Sequence, residues 1–406
     1  MYGMLVLLET EMMTDFSFAS APHIHFGAGK RLMIPQVLSS FGKRVLLVTG
    51  SAAFDHSDRC QEILLSLDKE GFEIQRIRVH GEPSPSLVDA AVQEFRALLP
   101  DCVLAVGGGS AVDAAKAIAG LLPLGHSVME YLEGVGRGKV YPGPSLPFVA
   151  VPTTAGTGGE TSKNAVLSVQ GEGGYKKSFR DDMLVAHSII VDPELTLNCP
   201  PDITAACGLD AFTQLLESYV SSKASPMTDA LAMSGMQKVR ECFMRACRQG
   251  GEDIEARAGM AYAAFISGLT LANAGLGSVH GIAAPLGAYF PIPHGVACGT
   301  LLAQSTRVNI HAMLEREPEN PSLGKYADVG RMFHNDDSLD DADARVALLE
   351  LLERWTEELN LPRLGVFGID AADVSRIVSG SRGNSMQTNP VLLSDEEISS
   401  IVASRL

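Results

Sequence analysis

The sequence has no cysteine pair, no basic cluster and no unbroken apolar run, and each absence removes a class of protein. Its seven cysteines lie at positions 60, 102, 199, 207, 242, 247 and 298, an odd number without CxxC spacing. That pattern excludes a zinc ribbon and a disulfide scaffold, and it predicts reduced thiols in a cytoplasmic protein. Acidic residues outnumber basic ones 48 to 32, for a formal net charge of −16, and Lys and Arg are nowhere concentrated. Recognition of nucleic-acid phosphates or of an acidic membrane surface is therefore not expected. A membrane-spanning helix needs roughly 20 consecutive apolar residues. The nearest candidates, Val103–Leu122 and Ala261–Ala274, are broken by Asp, Lys, Gly or Asn. The apolar stretch Met4–Leu8 runs at once into Glu9 and Glu11, unlike a signal peptide. Residues 1–12 read as a short N-terminal extension.

What is present is a chain able to bury large cores: 406 residues, 46% of them hydrophobic. This is enough for two domains. Up to about Pro193, short apolar runs alternate with helical patterns. Arg44–Thr49, Glu73–Val79, Cys102–Val106, Pro147–Val151 and Ser188–Asp192 read as buried strands, with helices over Leu87–Leu98 and Ser110–Leu122. Such alternation implies a mostly parallel sheet covered on both faces. Beyond Asp192 the pattern is helical: Thr204–Val220, Met227–Arg248, Ala256–Ala274, Val296–Met313, Arg345–Leu359 and Asp395–Ser404. Residues Glu315–Asp343 read as solvated loops. The expected layout is an α/β nucleotide-type domain at 13–196 and an all-α domain at 197–406, with a ligand site in the cleft between them.

Two loops carry candidate chemistry. In the first, the Cys102–Val106 strand ends in Gly107-Gly108-Gly109, and Ser110 opens a helix. Three glycines let backbone N–H groups approach a pyrophosphate, and a helix start adds free donors and partial positive charge. This is neither GxGxxG nor a P-loop, and a tight strand–helix turn is the plainer alternative. The second loop, Pro152–Glu160, follows the next strand. It places Thr153, Thr154 and Thr157 among three glycines, a set suited to a ribose, a phosphate or a nicotinamide amide.

A metal constellation is also visible. His280 and His294 each sit beside Gly or Pro at an expected helix start, 14 residues apart. Asp210 lies inside an apolar helix, where an unpaired carboxylate is costly. Two imidazoles and a carboxylate suit a catalytic divalent metal. Hydrogen-bonded structural histidines and a capping or ion-paired Asp210 are the alternatives that spacing leaves open.

Together these segments resemble the iron-containing (group III) alcohol dehydrogenase family, related to glycerol dehydrogenase and dehydroquinate synthase. The resemblance runs from about Phe16 to the end. It rests on Phe26–Gly29, Gly107–Ser110 with Asp113 and Lys116, Pro152–Glu160, Lys176–Arg180, Val191–Leu195, Gly208–Tyr219, Asn273–Pro285, Pro293–Gly295 and Thr388–Pro390. It implies a Rossmann-like dinucleotide-binding domain followed by a helical metal-binding domain, in homodimers or larger homo-oligomers. The implied reaction is hydride transfer between NAD or NADP and a small alcohol or aldehyde. Gly107, Gly108, Gly109, Ser110 and Asp113 would hold the cofactor's phosphate side. Thr153, Thr154, Thr157 and Asn164 would line the nicotinamide, and Lys176 would reach a ribose. Asp210, His280 and His294 would bind Fe²⁺ or Zn²⁺.

Three departures stand out. Gln214 occupies the position four after Asp210 where the family carries a ligating His. It shares the helix face of Asp210 and so points at the metal as a weaker amide donor, which brings the set close to the Asp/His/His set of glycerol dehydrogenase. Ala284 replaces a His often linked to proton handling. Gly50-Ser51 stands where NAD-preferring members carry an Asp for the adenosine ribose, so NADP is tolerated and Ser51 is placed to meet its phosphate. A dehydroquinate-synthase-type lyase and a metal-free nucleotide-binding relative are the rival readings. The lyase is disfavoured by the apolar surroundings of His280 and His294.

Overall fold

The computed structural model describes residues 15–19, 21–50, 54–171 and 173–406. The extension assigned to residues 1–12 and the cofactor candidate Ser51 lie outside these ranges. The N-terminal half runs β1 (His23–Phe26), α1 (Ile34–Ser39), β2 (Arg44–Gly50), α2 (Asp58–Lys69), β3 (Glu73–Val79), α3 (Pro85–Phe95), β4 (Cys102–Gly107), α4 (Gly109–Leu121), β5 (Phe148–Pro152), β6 (Asn164–Val169), β7 (Tyr175–Arg180) and β8 (Ser188–Val191). The C-terminal half is helical: α5 (Pro201–Val220), α6 (Pro226–Gln249), α7 (Ile254–Ala274), α8 (Ser278–Tyr289), α9 (His294–Arg316), α10 (Ser322–His334), α11 (Asp341–Glu358), α12 (Val374–Gly380) and α13 (Asp395–Ala403).

Six strands form one sheet in the order β1-β8-β5-β4-β2-β3, with every pair parallel. The central strands β4 and β5 are buried along their whole length. Both faces are therefore covered, as continuous apolar runs such as Val103–Val106 require. After β3 the chain crosses to the other side of β2 to form β4, so strand order reverses between β2 and β4. Ligands of open α/β sheets gather at the carboxyl end of such a reversal. Gly50 and Gly107 end these two strands. A side chain on Gly107 would stand 3.1 Å from the Gly50 nitrogen and 2.7 Å from Ala111 Cβ.

Two expectations change. Residues 164–169 and 175–180 pair as the antiparallel β6–β7 hairpin, which was not expected as strands. Its second strand carries Lys176, Lys177 and Arg180 and is mostly half-buried, so no apolar alternation marked it. Residues 315–343 are not all loop: α10 lies inside them and buries Tyr326 completely. The helix expected to start at His280 begins at Ser278 and continues through Pro285, because α8 is a buried element set at 100° to α7 and held by its neighbours. Among the described residues no single helix is long and apolar enough to cross a membrane.

Candidate active site

Helix α5 supplies the site's first carboxylate. It begins with Pro201 at its first position, where the missing N–H costs nothing, and from Gly208 to Val220 every residue is buried. Asp210, Gln214 and Glu217 follow one another at one-turn spacing. His280 is the third residue of α8 and His294 the first of α9. Both imidazoles therefore sit at helix starts.

These residues converge. His280 Nε2 lies 3.2 Å from Asp210 Oδ1, and His294 Nε2 lies 3.7 Å from the same oxygen. Cys298, one turn beyond His294 on α9, joins them: its Sγ is 3.6 Å from His280 Nε2 and 3.8 Å from His294 Nε2. All four donor atoms lie within 4.8 Å of one another. On the far side of His280, Nδ1 donates to Glu217 Oε2 at 2.6 Å, while Glu217 Oε1 accepts from the Val279 N–H at 2.7 Å. Glu217 thus fixes the ring and its tautomer. A neutral His280 then presents a bare Nε2 lone pair to Asp210 Oδ1. Two acceptors at 3.2 Å repel unless a proton or a cation lies between them, so the donor set fits a divalent metal.

With no cation bound, a proton takes that place on His280 Nε2. Burial pushes the Asp210 carboxyl up, but His294 and the hydrogen bond from His280 outweigh it and hold the group below the usual range. Burial, with Lys176 nearby, lowers His294 to about 4. Burial also opposes charge on His280, yet Cys298, Glu217 and Asp210 raise it well above the usual range. His294 Nδ1 is buried without a hydrogen-bond partner, unlike the braced Nδ1 of His280.

The turn that delivers His280 is clamped from the C-terminus. Asn389 Oδ1 accepts from the Ser278 N–H at 2.9 Å, and Thr388 Oγ1 donates to the Leu276 carbonyl at 2.6 Å. Gly277 must be glycine, since a Cβ there would meet Asn389 Oδ1 at 2.8 Å and Glu217 Oε1 at 2.9 Å. Gln214 is buried on the metal-facing helix, and its amide oxygen accepts from Ser267 Oγ at 2.8 Å.

The two loops pack on each other beside this cluster. A Cβ on Gly108 would stand 3.2 Å from Thr154 Oγ1, and one on Gly109 would stand 2.9 Å from Thr157 Oγ1. The Thr153 N–H donates to the Gly107 carbonyl at 3.0 Å. Lys116, fully buried, ties the loops to the hairpin: its Nζ donates to the carbonyls of Gly159 and Asn164 at 2.7 and 2.6 Å, and lies 3.9 Å from Asp113. Asn164 Oδ1 accepts from Arg180 Nε at 2.7 Å, and Lys176 pairs with Glu82 at 3.1 Å. The Thr loop reaches α5 directly: Gly156 abuts Cys207, which is hydrogen-bonded to Thr154 and lies three residues before Asp210.

The iron-containing alcohol dehydrogenase family model matches residues 21–193, and that for the family's C-terminal region matches residues 204–406. The chain belongs to the iron-containing alcohol dehydrogenase family. It is 32% identical over 366 residues to alcohol dehydrogenase 4 of Saccharomyces cerevisiae strain YJM789, covering 89% of this chain and 90% of that one. The NAD-dependent methanol dehydrogenase of Bacillus methanolicus is 29% identical over 398 residues, covering 97% and 100% of the two chains. Among solved structures, 1,3-propanediol oxidoreductase superposes with a TM-score of 0.87 at 28% identity, covering 97% of this chain and 100% of that one. As a family member the chain is an alcohol dehydrogenase, exchanging hydride between a nicotinamide cofactor and an alcohol or aldehyde with help from a divalent metal.

Two residues of this dehydrogenase escaped the sequence reading. Glu217 is seven after Asp210, two turns along the same face, and a second carboxylate in so apolar a helix was its signal. Cys298 is four after His294, the i to i+4 spacing of a helical ligand pair. Its signal was masked by its resemblance to the other scattered cysteines. For Glu217→Gln, an amide N–H would face His280 Nδ1 and drive the ring proton onto Nε2, where it competes with the metal. Metal affinity is expected to fall about 10–100-fold. Metal titration of the stripped variant by calorimetry checks this; an affinity equal to wild type would remove Glu217 from the role.

Proposed function

We propose that this dehydrogenase interconverts small, mainly apolar alcohols and aldehydes using NAD or NADP, with Fe²⁺ or Zn²⁺ held by Asp210, His280 and His294. The observation that carries the reading is the contact between the Thr loop and α5, which sets a dinucleotide loop beside the metal donors. When bound, the cation supplies Lewis-acid polarisation of the substrate oxygen and the nicotinamide supplies or accepts the hydride.

The chain's own residues provide binding and orientation. Gly107, Gly108, Gly109 and Ser110 offer N–H groups at the start of α4 to the pyrophosphate, with Asp113 behind them on the helix. Thr153, Thr154, Thr157 and Asn164 hold the nicotinamide side, and Lys176 reaches towards the ribose. Gly50 and Ser51 would meet the adenosine end, where Gly50 ends the β2 strand in place of an Asp that would repel a 2′-phosphate. Gln214, buried one turn beyond Asp210, keeps its amide oxygen on Ser267. Half-buried Ala284 leaves room where a relay histidine would stand, so the hydroxyl proton leaves through water or the ribose hydroxyls. The residues at 13–196 and 197–406 act as cofactor and metal domains. All seven cysteines are free, which supports a reducing cytoplasmic setting. Assembly as a homodimer or larger homo-oligomer follows the family pattern.

The test is oxidation of NADH and NADPH with a panel of small aldehydes. Consumption of one reduced cofactor per aldehyde, with both cofactors used within about tenfold of each other, is the expected result. Absence of turnover across the panel would contradict the reading.

A further inference from the structure

Resting on the metal-site reading above, we infer that Cys298 is the fourth protein ligand of the metal, taking the place that Gln214 leaves vacant of imidazole. Three observations on independent elements converge on this.

The first is separation. A tetrahedral ion bound at roughly 2.0–2.1 Å by nitrogen or oxygen and about 2.3 Å by sulfur sets N–O edges of about 3.3–3.5 Å and N–S edges of about 3.6 Å. The structure gives 3.2 and 3.7 Å for the two His–Asp edges, and 3.6 and 3.8 Å for the two Cys–His edges. Cys298 Sγ stands in a ligand's position relative to both imidazoles.

The second is what Gln214 does instead. Its amide oxygen accepts from Ser267 Oγ on α7, so the residue at the family's ligand position is engaged with a neighbouring helix. The third is placement. Cys298 is wholly buried and follows His294 by one helical turn. One rigid element therefore delivers two donors, with Asp210 on α5 and His280 on α8 completing the set. A thiolate and a carboxylate together neutralise a divalent ion, and sulfur favours Zn²⁺ over harder cations such as Mg²⁺ or Mn²⁺.

Cobalt(II) titration of the metal-stripped protein tests this without reference to activity. Wild type is expected to bind one Co²⁺ per chain, with visible d–d bands of tetrahedral intensity and a near-ultraviolet thiolate-to-cobalt charge-transfer band. Cys298→Ser should lose the charge-transfer band, keep d–d absorption, and bind Co²⁺ at least about 100-fold more weakly. Gln214→Leu should keep the band, since Ser267 retains its bond to the Ala264 carbonyl. Introducing Gln214→His into Cys298→Ser should restore tight binding without the band. Uptake of Co²⁺ by wild type with no charge-transfer band, or a band that survives Cys298→Ser, would overturn Cys298 as a ligand and leave the metal site standing. No uptake by wild type would overturn the metal site and the ligand together.

Discussion

Replacing His280 by Ala is expected to lower kcat/KM about 10³-fold while leaving the protein folded and able to bind its cofactor. The imidazole is one of the donors within 4.8 Å of one another, and the one braced by a buried carboxylate. Without it the remaining donors hold a cation weakly, and the electrostatic help that a Lewis acid gives is largely lost. That help is several kcal/mol, and each ~1.4 kcal/mol is a factor of ten in rate. The substitution also strips Glu217 Oε2 of its partner. Glu217 is buried, so some stability is lost, roughly 1–3 kcal/mol for an unsatisfied group. The Val279 N–H still satisfies Oε1, which keeps α8 seated. Cofactor binding should persist, because the glycine loop stands between β4 and α4 while His280 stands on α8. Steady-state kinetics, thermal unfolding and fluorescence titration with NADH separate the three effects. Turnover equal to wild type would remove His280 from the reaction.

The second large effect is expected at Gly268→Ala, a residue with no side chain to offer a ligand. Helix propensity alone predicts a gain of about 1 kcal/mol for this change within α7. Packing predicts the opposite. The added Cβ would stand 2.0 Å from the Gly158 carbonyl oxygen and 2.3 Å from Thr161 Oγ1. Gly158 cannot yield easily: it has φ +58° and lies against the backbone of Ala264 and Gly268. The Thr loop must therefore move off α7, at a cost of about 3 kcal/mol or more. Because the loop carries Thr153, Thr154 and Thr157, proposed above to hold the nicotinamide, a shift of about 1 Å would also misplace that ring, and such a displacement costs on the order of 10² in rate. A drop in Tm of several degrees with about a 100-fold loss in kcat/KM is the expected pair. An unchanged or raised Tm with normal turnover would show that the loop–helix contact does not set the site.

Much of this architecture was legible because the physics that builds it is local. The parallel strands at Arg44–Thr49, Cys102–Val106 and Ser188–Asp192 are continuous apolar runs, and each appears within a residue or two of its expected bounds. Asp210, His280 and His294 were legible because burying those groups in apolar or glycine-rich surroundings needs a reason. The structure brings all three to one point. The hairpin at 164–180 was not legible, since its pairing partners are each other and its exposed face is charged. Glu217, Cys298 and the Asn389 clamp depend on which helices meet, and helix spacing within one element does not carry that information. Asn389 is the clearest case: its motif was recognised at the C-terminus, yet its work is done on the Ser278 N–H, 111 residues away in sequence.

The most direct test of the account is the metal dependence of the wild-type enzyme. Elemental analysis of the purified protein should give close to one Fe or Zn per chain. Chelation should abolish aldehyde-dependent NAD(P)H oxidation, and Fe²⁺ or Zn²⁺ should restore it, with NADH binding unchanged throughout. Full turnover by protein shown to be metal-free would contradict the central claim, that Asp210, His280 and His294 act by holding a divalent cation beside the nicotinamide.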